Sequence, residues 1–161
     1  METAAPTEST RDVARYSQFL KTGEPGMHAY VVLLGLEYFD LPNVIKAVRK
    51  GFPWKAFDRL TRNLGLPADR VAEMVGIPRR TLARRKIEKR FDPDESDRLL
   101  RTARVFAKTL RLFDGDRDAA AEWLTSLEIA LGTDPASLMS TDVGAREVER
   151  VIGALEHGIF L

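Results

Sequence analysis

Between Arg79 and Arg90 lie seven basic side chains, Arg79, Arg80, Arg84, Arg85, Lys86, Lys89 and Arg90, and one acid, Glu88. The segment reads RRTLARRKIEKR and carries a net charge of +6. Guanidinium groups at helical spacing can bond guanine edges in bidentate fashion, and lysines meet phosphate as point charges. A cationic helix of this density repels itself unless a polyanion is expected. The alternative is an ordinary helical hairpin whose basic face is merely solvated. On the first reading Arg79, Arg80, Thr81 and Arg84 approach base edges or nearby phosphates. Arg85 belongs to the same candidate set, while Lys86, Lys89 and Arg90 touch phosphate only.

Bond-making chemistry is poorly supplied. The chain has two histidines, His28 and His157, far apart in sequence, and no cysteine. The carboxylates show no metal-ligand spacing, and no phosphate loop or nucleophile elbow is present. No catalytic residue, cofactor-binding residue or metal ligand is therefore assigned, and the chain reads as a binding protein rather than an enzyme. His28 reads as a surface or capping histidine.

The elements that must position the basic run are two short helices and a turn. In ADRVAEMVGIPRRTLARRKIEKR, Val71, Ala72 and Val75 share one helical face. Gly76 can take the left-handed conformation that ends a helix, and Pro78 suits the start of the next. Leu82 is the one large apolar residue in the first two turns that follow, so that face docks and the rest stays in water. Two helices joined by a glycine-containing turn form the helix-turn-helix design, whose second helix enters the major groove. Arg85 stands where that pattern has an apolar residue, and Ile87 is expected to supply the contact instead.

The rest of the chain also reads as helical. Asp40 can cap a helix to Lys50 with Val44, Ile45 and Val48 inward. Pro53 opens another, with Phe57, Leu60, Thr61 and Leu64 on one face and Gly65 closing it; Trp54 reads as core. HAYVVLLGL, residues 28–36, fits a buried helix or a short strand, with helix favoured by its surroundings. Asp92-Pro93-Asp94-Glu95 combines a cap, a proline at the first position and a capping-box glutamate. In the long helix beyond it, Leu99, Ala103, Phe106, Leu110 and Phe113 make a seam, either for a second subunit or for internal core. Asp116 and Thr141 cap two further helices; Trp123, Leu124 and Leu127 face the core in the first, and Val148, Val151, Ile152 and Leu155 form a stripe in the last.

The fold class is all-α. A flexible N-terminal arm is expected over residues 1–26, a helix-turn-helix DNA-binding domain over 27–91, and a second helical domain, for a partner or for dimerisation, over 92–161. Asp12 to Leu20 fits a short helix within the arm. The charge is uneven: residues 1–78 carry +1, the basic run +6 and residues 91–161 carry −6. The N-terminus METAAPTESTRD lacks the basic and apolar regions of a secretory signal, and no apolar stretch approaches the roughly 20 residues of a membrane span. A cytoplasmic location without a membrane partner is expected.

The segments RRTLARRK, RFDPDESDRLLR followed by Ala103-Arg104, AAAEWL, ALG, DPASLM and GAREVERVIGALEHGIF resemble the Xre/ParS/MbcA-type antitoxins of RES-Xre toxin–antitoxin systems. The resemblance runs from about Leu33 to the C-terminus. Two positions depart from it: Leu127-Glu128 stands for a Pro-Asn pair, and Pro67 for a serine cap. The resemblance implies a partner, a RES-type toxin that consumes NAD, and a complex that represses its own operon at double-stranded operator DNA. NAD belongs to the toxin, so no cofactor is expected here. A helix-turn-helix protein of this kind is expected to form a homodimer that reads two half-sites. The other reading is a free-standing helix-turn-helix repressor or partition-type DNA binder without a toxin. The last helix ends near His157-Gly158, and Ile159, Phe160 and Leu161 follow. Such an apolar end is costly in water, and it either folds back on its own domain or enters a partner's cleft. The resemblance favours the second, with Glu156, His157, Gly158, Ile159, Phe160 and Leu161 as the toxin-binding set.

Overall fold

A computed structural model describes residues 8–159, so the expectations for residues 1–7, and those for Phe160 and Leu161, lie outside the described residues. In chain order come α1 (Glu8–Thr22), a 3-10 helix (Ala29–Leu34), α2 (Leu41–Lys50), α3 (Trp54–Leu64), α4 (Ala68–Val75), α5 (Arg79–Glu88), α6 (Pro93–Leu112), α7 (Arg117–Thr125), a second 3-10 helix (Pro135–Leu138) and α8 (Asp142–Glu156). No strand occurs among the described residues.

Side-chain caps begin five of these helices. The carboxylates of Asp40, Asp92, Asp116 and Asp134 and the Thr141 hydroxyl each accept a backbone N–H in the first turn. At Asp92 the box is complete: Glu95 N donates to Asp92 at 2.7 Å and Asp92 N donates to Glu95 at 2.9 Å. α3, α4 and α5 start instead after Pro53, Pro67 and Pro78, without a side-chain cap bond. Proline's fixed φ prepares these starts without help from a side chain.

α6 is the central element. It touches the first 3-10 helix, α2, α3, α4, α7 and α8. Leu99, Ala103, Phe106 and Leu110 are fully buried within this one chain, and Phe113 packs partly buried against them. The seam is therefore internal core rather than a free pairing surface. Phe52, Phe57, Leu60, Leu64, Val71, Val75, Val148 and Ile152 complete a continuous apolar interior. Residues 28–36 resolve as the short 3-10 helix, with Val31, Val32, Leu33 and Leu34 buried.

The stretch expected as a flexible arm holds, in its described part, a helix bound into the core. Val13 and Tyr16 of α1 are buried. Asp12, 2% exposed, accepts from Arg59 Nε at 2.5 Å, Arg59 Nη2 at 3.0 Å and Asn63 Nδ2 at 2.9 Å. Burial pushes the Tyr16 hydroxyl up to about 12. The anchoring partners lie on α3, far away in sequence, so the local pattern of residues 1–26 gave no sign of them.

Candidate nucleic-acid and partner interfaces

α4, the Gly76 turn and α5 make the helix-turn-helix pair. Val71, Ala72, Met74 and Val75 bury one face of α4. Gly76 adopts φ 77°, ψ 36°, the left-handed conformation glycine takes without strain. Its amide donates to the Ala72 carbonyl at 2.9 Å, and so does that of Ile77. From α6, Arg98 Nε donates to the Val75 carbonyl at 3.0 Å, satisfying one of the orphan acceptors at the end of α4. Leu82 is the buried residue of α5, so that helix rests on one contact stripe.

Most of the basic candidates are exposed, but they are not equivalent. Arg79, 83% exposed, pairs with Asp69 at 2.8 Å across the turn. Arg80, Lys86 and Lys89 are exposed, and Thr81 is half-buried. Arg84 stands 3.8 Å from Glu88, a loose exposed pair. Lys89 ends α5 in the left-handed conformation, φ 62°. Arg90 Nη1 donates to the Gly51 carbonyl at 2.5 Å.

Arg85 differs from all of these. Its side chain is 16% exposed and binds Glu88 at 2.7 Å, Asp92 at 3.2 Å and Glu95 at 2.8 Å. The hydrogen bonds it donates to Glu95 and Glu88 raise its pKa further above the usual guanidinium value. The residue expected among the DNA contacts thus faces the protein. It fills the position where an apolar contact is usual, with three carboxylates in place of a hydrocarbon neighbour. Ile87, expected to supply that contact, is 83% exposed and points to solvent. Trp54 lies against Phe57 and Phe91, with ring centroids at 5.2 and 5.7 Å, as part of the core.

The C-terminal candidates sit at the far end of α8. Glu156 accepts from Arg111 at 2.7 and 3.0 Å, tying the ends of α6 and α8 together. His157 caps α8, its Nδ1 lying 2.7 Å from the Gly153 carbonyl. Gly158 takes φ 67°, and Ile159 N donates to Ala154 O at 2.9 Å. The Ile159 side chain is 56% exposed, beside half-exposed Leu155. The 126–134 loop, where Leu127-Glu128 stands, is closed by Glu128 N to Thr133 O at 3.1 Å and by Trp123 Nε1 to Glu128 at 3.0 Å. Leu127, expected in the core, is 73% exposed.

Comparison with known proteins finds two family domains along the chain. Residues 44–104 match the model of the antitoxin Xre-like helix-turn-helix domain. Residues 109–158 match that of the antitoxin Xre/MbcA/ParS C-terminal toxin-binding domain. The chain is 36% identical over 119 residues to an "Antitoxin Xre" of Yersinia enterocolitica, covering 73% of this chain and 80% of that one. It is 33% identical over 120 residues to an "Antitoxin Xre" of Photorhabdus laumondii, covering 73% of this chain and 81% of that one. A helix-turn-helix pair with an exposed basic second helix, joined through α6 to a toxin-binding domain, places this chain in the Xre antitoxin family.

Proposed function

We propose that the chain neutralises a NAD-degrading RES-type toxin through its C-terminal domain and represses its own operon by binding operator DNA. The observation that carries the reading is a basic helix and a net acidic C-terminal half built on one continuous core. Arg79, Arg80 and Arg84 project from α5, whereas residues 91–161 carry −6. The first suits a polyanion, and the second steers encounter with a basic cleft of the kind that binds a dinucleotide. The chain acts by binding, in the cytoplasm, and calls for no cofactor of its own.

On this reading Ile159, Phe160 and Leu161 form the apolar plug. Glu156 already serves Arg111, so it joins the toxin only by exchanging that partner. The direct assay is NAD loss by the cognate toxin, with full-length protein or with protein ending at Gly158. Weaker inhibition by the shortened protein, with operator binding intact, supports the plug. Equal inhibition moves the inhibitory contact to the helical surface. If the product of the neighbouring gene is not bound at all, the chain is a free-standing repressor or partition-type DNA binder.

Operator recognition is proposed to use a homodimer, because one helix-turn-helix unit buries too little for a tight specific complex. The Leu99–Phe113 seam is occupied by the chain's own core, so pairing uses another surface. Sedimentation showing only monomer at micromolar concentration, with and without DNA, would contradict the dimer.

A further inference from the structure

We propose that the DNA-binding surface extends from α5 onto α2, where Lys46 and Lys50, together with Arg90, grip the phosphate backbone flanking the recognition helix. This rests on the reading of α5 as the recognition helix. The basic charge of α5 is smaller in the fold than in the sequence. Arg85 is taken up by Glu88, Asp92 and Glu95, and Arg79 by Asp69. Helix α2, LPNVIKAVRK, brings three cations and no carboxylate, with Lys46, Arg49 and Lys50 all exposed.

The chain locks the end of α2 against the end of α5. Phe91 N donates to Phe52 O and Trp54 N donates to Lys89 O, each at 2.9 Å, forming a short antiparallel bridge between Pro53 and Arg90. Gly51 lies so close that a Cβ there would stand 2.1 Å from the Phe91 carbonyl oxygen. Lys50 and Lys89 therefore flank one rigid bridge. Beside it opens a hollow of about 280 Å³ whose lining includes Tyr38, Asn43, Lys46, Lys50 and Arg90 but no carboxylate. The cations stand exposed on its rim, which suits a passing phosphate chain better than an enclosed small anion. Like charges gathered without a counter-ion are destabilising by themselves and are relieved when a polyanion is bound.

The test is fluorescence anisotropy of the full chain on a labelled duplex carrying the sequence upstream of its own reading frame, between about 50 and 200 mM KCl. Each phosphate neutralised contributes about 0.9 to the slope of log affinity against log salt. The Lys46→Ala/Lys50→Ala variant is expected to lower that slope by about two and to weaken binding roughly tenfold at the low-salt end. The loss should be equal on an unrelated duplex, so the ratio between the two DNAs stays as in the wild type. A charge-matched control on α8, Arg146→Ala/Arg150→Ala, should leave the slope in place. An unchanged slope in the α2 variant overturns the proposal, as does an equal fall in the control. An Arg79→Ala/Arg80→Ala/Arg84→Ala variant separates the two readings: if it binds the operator as well as wild type, α5 is not the recognition helix and the extension falls with it.

Discussion

Arg85 donates to both carboxylate oxygens of Glu95, from Nε at 2.8 Å and from Nη2 at 3.1 Å. The bidentate pair ties α5 to the capping box that starts α6. We expect Arg85→Ala to lower the free energy of unfolding by about 1–2 kcal/mol, with partial exposure of the pair discounted. Urea titration should show a lower midpoint at unchanged slope. Operator affinity per folded molecule should stay within a few-fold of wild type, whereas Arg80→Ala should relax sequence preference without moving the midpoint.

Asp12 offers a sharper stability test. Removing its carboxylate deletes the bonds it accepts from the Arg59 guanidinium and the Asn63 amide at a position that is 2% exposed. Asp12→Ala should cost about 2–3 kcal/mol. Arg15→Ala, also on α1, deletes an exposed pair with Glu37 and should stay within about 0.5 kcal/mol. Thermal unfolding of the two variants side by side checks both. A drop of less than about 0.5 kcal/mol for Asp12→Ala would show that α1 contributes little to the fold.

Gly144 sits in the first turn of α8, where an added Cβ would lie 1.9 Å from the Leu138 carbonyl oxygen. Gly144→Ala must push α8 away from the 3-10 helix before it. A loss of about 1–3 kcal/mol is expected, the usual scale for forcing a group into a filled space. The reading is a lower melting temperature, accompanied by weaker toxin inhibition because α8 carries the tail.

Glu149 sets a pH dependence. Burial raises its pKa, but bonds from Lys108 Nζ at 2.8 Å and Arg104 Nε at 2.9 Å outweigh that and hold it below its ordinary value of 4.5. The folded state therefore binds this proton less readily than the unfolded state. The resulting stability is present in full above about pH 4.5 and is lost as pH falls through the lowered value. Glu149→Gln should cost about 1 kcal/mol at pH 7 and flatten the acid limb of a stability–pH curve. An acid limb of unchanged steepness would rule this contribution out.

Local chemistry announced the helices, and long-range chemistry hid the exceptions. The caps at Asp40, Asp92, Asp116 and Thr141 and the stops at Gly65 and Gly76 depend on neighbours within a turn, so spacing alone revealed them. The all-helical class followed from the same signals. Arg85 could not be told from Arg84 in this way. Its Glu88 partner was visible at i+3, but Glu95 approaches only after the chain turns between α5 and α6. The helix α1 is marginal by its own pattern and is held by Asp12 reaching α3. The cations of α2 carry no local signal of a role, and only the bridge at Pro53 and Arg90 sets them beside the basic run.

The two family matches end at 104 and begin at 109, both inside the unbroken helix α6. No linker separates the domain that meets DNA from the domain that meets the toxin. A protease acting on the native chain therefore finds no tether whose cutting would release one working half. Opening α6 removes the core support of both at once, so the local stabilities of the two halves merge into one global event. For a protein with the proposed function, turnover is then a single signal with two effects: the molecule that frees the toxin by unfolding is the same one that vacates the operator, and resynthesis of both products starts at the moment of their release.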